Sequence, residues 1–150
     1  MKSILIIGLG RFGCHLCRKF MSLNNEVMIV DRDEAAVTAL ADEVTSAQIA
    51  DCTDENALRA LGVKNFDLCF VCIGSDFASS LLITSMLKDM GAARVVAKAS
   101  QDIHAKLLLR NGADDVVYPE RDSAERMATR LSAQNVFDYI ELTDEYSIYE

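Results

Sequence analysis

No stretch of this 150-residue chain approaches the roughly 20 consecutive apolar residues that a membrane-spanning helix needs. The opening Met1-Lys2-Ser3-Ile4 enters an apolar run too quickly to read as a signal peptide. We therefore expect a soluble, cytosolic chain. Basic residues are in deficit: 15 Lys and Arg face 23 Asp and Glu, a formal net charge of −8. Affinity for a nucleic-acid backbone comes from clustered Lys and Arg that release counterions, so this balance argues against nucleic acid as a partner. Proline occurs once, no low-complexity tract or solenoid-period repeat is found, and 51% of residues are apolar. That excludes the composition of a disordered chain. The length suits one domain with a real core.

Cysteine is less scarce. Five cysteines include Cys14/Cys17 and Cys69/Cys72 at CxxC spacing, which on paper resembles paired zinc knuckles. The first pair falls on a predicted helix, where positions three apart share a face. The second falls on a predicted strand, where an odd offset points the side chains to opposite sides. An odd total in a cytosolic chain reads as buried small hydrophobes, with Cys52 kept open for a redox role.

Apolar runs alternate with amphipathic stretches along the chain, the pattern of repeated βαβ units around a parallel sheet. Strands are predicted at 3–7, 26–30, 47–50, 68–73, 94–97 and 115–118. Helices are predicted at 11–22, 33–41, 54–61, 76–90, 103–111 and 121–134. Several helix starts carry Asp, and stops carry Gly62, Gly91 and Asn111-Gly112, as capping preferences require. The expected fold is α/β, a Rossmann-type doubly wound parallel sheet of six strands with flanking helices, in order 3-2-1-4-5-6. Residues 1–134 make the nucleotide-binding lobe in this reading. From 135 to 150 apolar and acidic residues alternate as a strand with no partner left to pair with, so another subunit or a longer chain should complete it.

Gly8-Leu9-Gly10-Arg11-Phe12-Gly13 follows the first strand and opens the first helix, and Asp31 ends the second strand about 20 residues on. This is the context in which a GxGxxG motif binds a dinucleotide or nucleotide. Gly8 permits the tight turn, Gly10 lets the backbone approach a phosphate, and Gly13 lets the helix pack close to the sheet. Phosphates would rest on the helix N-terminus, with Asp31 accepting from an adenosine ribose; for Asp31 alone a helix cap remains an alternative. Arg11 offers a charged fork suited to terminal phosphate oxygens, tilting the ligand from NAD toward ATP or ADP, unless it is a solvated side chain.

Ligands of open α/β sheets bind at the carboxyl ends of strands, where further candidates stand. Asp51-Cys52 would border an adenine. Ile73-Gly74-Ser75 would allow close backbone approach, and Lys98-Ala99-Ser100 ends the fifth strand. His104 could reach a phosphate or the ring, or be an ordinary surface histidine. Glu120 is a candidate ligand for Mg²⁺ bridging phosphates, or simply a helix-start glutamate.

Together, GLGRFG at 8–13, IVDRD at 29–33, ADCTDEN at 50–56, IGSDFASSLLIT at 73–84, AKAS at 97–100, GADDVVYPERD at 112–122 and NVFDYIELTDEYSI at 135–148 resemble the RCK (KTN) domain. The resemblance is to the N-terminal lobe of the regulatory subunits of Ktr/Trk-type potassium transporters. It implies a cytoplasmic regulator, peripheral to the inner face of the membrane. Such a subunit forms homodimers and an octameric ring beneath a membrane-embedded potassium transporter, and ATP and ADP hold the ring in different shapes. It implies nucleotide contacts at Arg11, Asp31, Arg32, Asp33, Asp51, Cys52, 73–75, 98–100, His104 and Glu120, with Arg11 sensing the γ-phosphate. A C-terminal lobe would follow 135–150, the crossover segment. Ala124, Met127, Ala128 and Leu131 share one face of the last helix, to pack on their own sheet or, as the resemblance implies, on a second subunit.

The reading is of a regulator and not an enzyme, since two histidines offer no evident acid–base constellation. The alternatives are an NAD(H)-binding redox sensor, or the cofactor half of an NAD-dependent oxidoreductase.

Overall fold

A computed structural model describes residues 1–133, and the crossover segment 135–150 lies outside the described residues. The chain divides into a first unit, Met1–Val117, and a second that begins at Tyr118. In the first unit β1 (Ser3–Ile7), β2 (Glu26–Asp31), β3 (Ser46–Ile49), β4 (Leu68–Val71), β5 (Val95–Lys98) and β6 (Asp115–Val117) alternate with α1 (Arg11–Ser22), α2 (Glu34–Leu40), α3 (Glu55–Ala60), α4 (Phe77–Asp89) and α5 (Asp102–Arg110). The second unit contains α6 (Pro119–Ser132).

All five strand pairings are parallel, and the order is β3-β2-β1-β4-β5-β6, the expected doubly wound arrangement. β1 explains why the sheet holds: Ile4, Leu5 and Ile6 are fully buried, as a central strand covered by helices on both faces must be. Ile4, Ile6, Val27, Ile29 and Phe70 form one core cluster with Cys17 from α1 and Val37 and Leu40 from α2. β3 differs. It is an edge strand of sequence Ser-Ala-Gln-Ile with no buried residue, and it begins one residue before its predicted start.

Local chemistry sets the helix ends. Asp33, Asp54 and Asp76 cap α2, α3 and α4, each accepting a backbone N–H with its side chain. Gly62 follows the last residue of the α3 turn, Leu61, and Asn111 caps the C-terminus of α5. α6 starts at Pro119 and not at Arg121, because proline's fixed φ suits the first helical position, where its missing N–H costs nothing.

Four of the five cysteines are buried, Cys14 partly. β4 ends at Val71, so Cys72 stands just past the strand. Among the described residues no group of three or more His, Cys, Asp or Glu is placed to hold a metal.

Candidate functional site

The strand order reverses between β1 and β4, and ligands of such sheets lie at the carboxyl ends of the strands at that point. A cavity of about 330 Å³ opens there. The glycine loop supplies Gly8, Leu9 and Gly10; the β2 end supplies Asp31, Arg32 and Asp33; the β3 end Asp51, Cys52 and Thr53; the β4 end Ile73, Gly74, Ser75 and Asp76.

Each glycine of the loop has a distinct physical reason. Gly8 has φ +100°, and a Cβ there would lie 2.9 Å from the Cys72 carbonyl carbon. Gly13 is buried, and a Cβ on it would collide with the Gly8 carbonyl oxygen. Gly10 is the reverse case: a Cβ would meet nothing within 4 Å, so the space it leaves belongs to the cavity. Gly10 is also the N-cap of α1, which has no side-chain cap and no acidic residue in its first turn. First-turn amides lack intrahelical acceptors and, with the dipole, favour an anion. These residues fit a phosphate.

Asp31 fixes the loop from the neighbouring strand. One carboxylate oxygen accepts from the Leu9 amide at 2.7 Å, the other from the Asp33 amide at 2.9 Å. Each oxygen keeps a further lone pair, which leaves acceptor capacity for a ribose hydroxyl. Asp51 accepts from the Thr53 hydroxyl at 2.6 Å and the Thr53 amide at 3.0 Å. Those bonds, first the hydroxyl and then the amide, hold its carboxyl below the usual range, with Arg32 adding a smaller pull. Asp76 is likewise held low by the Ser79 hydroxyl and amide, again with a smaller pull from Arg32.

Burial disfavours the thiolate form of both thiols in the lining. Burial pushes Cys52 up to about 12, with the Asp51 and Asp31 carboxylates adding to it. Burial also raises Cys72 to about 12 against the opposing charge of Lys98. The thiolate, not the thiol, is the nucleophile and metal ligand, and both buried side chains pack as small apolar walls.

Not every predicted site residue lines the cavity. Arg11 is exposed in the first turn of α1, and Phe12 packs against the hydrophobic core. The Lys98 ammonium sits 3.0 Å from where a Cβ on Gly74 would stand, so it neighbours the cavity without being part of its lining. Ala99 is buried and Ser100 exposed. His104 stacks on Phe77, ring centroids 3.8 Å apart and 11° from parallel. Glu120 belongs to the second unit, in the first turn of α6.

The structure adds lining residues that the sequence reading passed over, chiefly Thr53, Asp76 and Ser79. Their signal was present as Asp-x-Thr and Asp-x-x-Ser spacing, a turn and a helix cap.

The TrkA-N domain family model matches residues 4–119. The chain belongs to the TrkA-N family. Among TrkA-N relatives, Ktr system potassium uptake protein C of Bacillus subtilis is 43% identical over 99% of this chain and 67% of its own length. Ktr system potassium uptake protein A of the same organism is 42% identical over the same shares. The resemblance to Ktr-type potassium uptake proteins is thus borne out. Solved structures share the fold: a Shewanella denitrificans Kef CTD in AMP-bound form (TM-score 0.75, 23% identity, 97% of this chain and 91% of that one) and the GsuK channel bound to NAD (0.71, 20%, 87% and 23%). GsuK bound to ADP also matches (0.74, 17%, 97% and 42%).

Proposed function

We propose that this TrkA-N chain is the nucleotide-sensing lobe of a cytosolic regulatory subunit that gates a membrane-embedded potassium transporter. ATP and ADP are its ligands, and the two hold a homo-oligomeric assembly, built from dimers into an octameric ring, in different shapes. The observation that carries this reading is the uncapped N-terminus of α1 above Gly10, with open space where a side chain would be, in a chain 43% identical to a Ktr potassium uptake protein. Arg11, exposed in that first turn, is the γ-phosphate sensor. Only a contact that differs between two ligands shifts a conformational equilibrium. A charge-assisted bond from Arg11 would supply roughly 1.5 to 3 kcal/mol per site.

NAD(H) is the second reading, supported by Asp31 at the β2 end and by the structural likeness to a channel bound to NAD. Calorimetric titration of the nucleotide-stripped protein with ATP, ADP and NADH, with and without Mg²⁺, separates the two. Preference for ATP that disappears in Arg11→Ala supports the gate. Tight NADH binding indifferent to Arg11, with little ATP affinity, overturns it.

A further inference from the structure

The cavity lining carries an uneven charge. Among the described residues that line it, Arg32 is the one basic side chain beside Asp31, Asp33, Asp51 and Asp76. In strand order it stands between two of these aspartates: it follows β2, Asp51 follows β3 on one side, and Asp76 follows β4 beyond β1 on the other. Both of those carboxyls feel its charge; Ser79 engages both oxygens of Asp76, and Thr53 engages Oδ1 of Asp51. Arg32 is exposed.

An arginine at this point of a dinucleotide fold ordinarily receives a ribose 2′-phosphate. Here an added phosphate would have to settle beside Asp31, which precedes Arg32 directly, and within the field of Asp51 and Asp76. Like charges at such range oppose it. A neutral, flat, electron-rich face meets no such opposition, and a guanidinium plane stacks on aromatic faces. The same end of the cavity supplies an apolar wall from Val30, Ala36 and Ala50.

We infer that Arg32 is a specificity-determining residue, its guanidinium closing over the purine of a bound nucleotide while the flanking aspartates bar a 2′-phosphate. The inference rests on the nucleotide-binding reading above. It assigns recognition of the base to Arg32 and recognition of the phosphates to the glycine loop, so the two can be separated with truncated ligands.

Adenosine, ADP, ribose 5-phosphate and adenosine 2′,5′-bisphosphate would be titrated into the wild-type chain, Arg32→Ala and Arg32→Lys, with thermal unfolding as a check on folding. The expected result is that Arg32→Ala weakens adenosine and ADP by the same factor, roughly five-fold, and leaves ribose 5-phosphate unchanged. Arg32→Lys, which keeps the charge but loses the plane, should fall between. In the wild type the 2′,5′-bisphosphate should bind more weakly than ADP. Loss of ADP binding with adenosine unaffected would make Arg32 a phosphate contact and overturn the inference, as would unaltered binding of every ligand. If the wild type binds no adenine compound, the nucleotide-binding reading falls with it. Unaltered binding in Arg32→Ala beside a functional wild type overturns the Arg32 assignment alone.

Discussion

α1 and α4 both begin at the cavity, one from the glycine loop and one from the loop after β4, yet their first turns are finished in opposite ways. α4 is closed by its own chain: Asp76 accepts from the Ser79 amide at 3.1 Å and from the Ser79 hydroxyl at 2.6 Å. A carboxylate there also complements the helix dipole. α1 begins at a glycine, with no side-chain cap and no acidic residue in its first turn. A helix start at the cavity thus yields a completed element in one place and an anion-seeking one in the other. What decides between them is a single side chain at the N-cap.

The largest effect expected from disturbing this contrast is at Gly13. Alanine normally gains helix propensity over glycine, but here its Cβ would collide with the Gly8 carbonyl oxygen. Gly13→Ala should therefore lose roughly 3 kcal/mol of stability, read as a lower midpoint in urea denaturation, and take nucleotide binding with it. Gly10→Ala sharpens the contrast, because its Cβ meets only open space. It should leave the urea midpoint nearly unmoved while cutting ADP affinity by about ten-fold, or about 1.4 kcal/mol. An equal stability loss in both variants would remove the distinction between a packing glycine and a ligand-facing one.

Asp31→Ala comes next. It removes the acceptor of both the Leu9 and Asp33 amides, and should weaken ADP and adenosine together, about five-fold or more. Hydrogen exchange at Leu9 should rise with it. The smallest effect is in acid. Asp76 and Asp51 have depressed carboxyl pKa values in the fold, so their contribution is present above the unfolded aspartate value of about 4. It is lost as pH falls through the folded value. The thermal midpoint should decline below about pH 4, and less so in Asp76→Asn, whose amide oxygen still caps α4 without titrating.

The sheet was legible because its inner strands are apolar on both faces, which alternating helices and buried parallel strands require together. β3 was less so. Its polar Ser-Ala-Gln-Ile carries little hydrophobic pattern, and its boundary slipped by one residue. The glycine loop and Asp31 could be read because spacing alone fixes a strand, a turn and a helix in order. Asp76 could not be read as a cavity residue, since a helix cap and a ligand-facing carboxylate have the same signature in sequence. Phe12 shows the opposite difficulty: it sits inside the motif, yet the 3.6-residue period turns its side chain to the core.

The bridge from Asp31 to the Leu9 amide has a consequence for time as well as strength. It holds the glycine loop in place from β2 before any nucleotide arrives, so the ordering of that loop belongs to folding and not to binding. A site prepared in this way fills at the rate of encounter, and its ligands then differ mainly in how long they stay. For the nucleotide sensor proposed above, the response time becomes the residence time of the ligand being replaced.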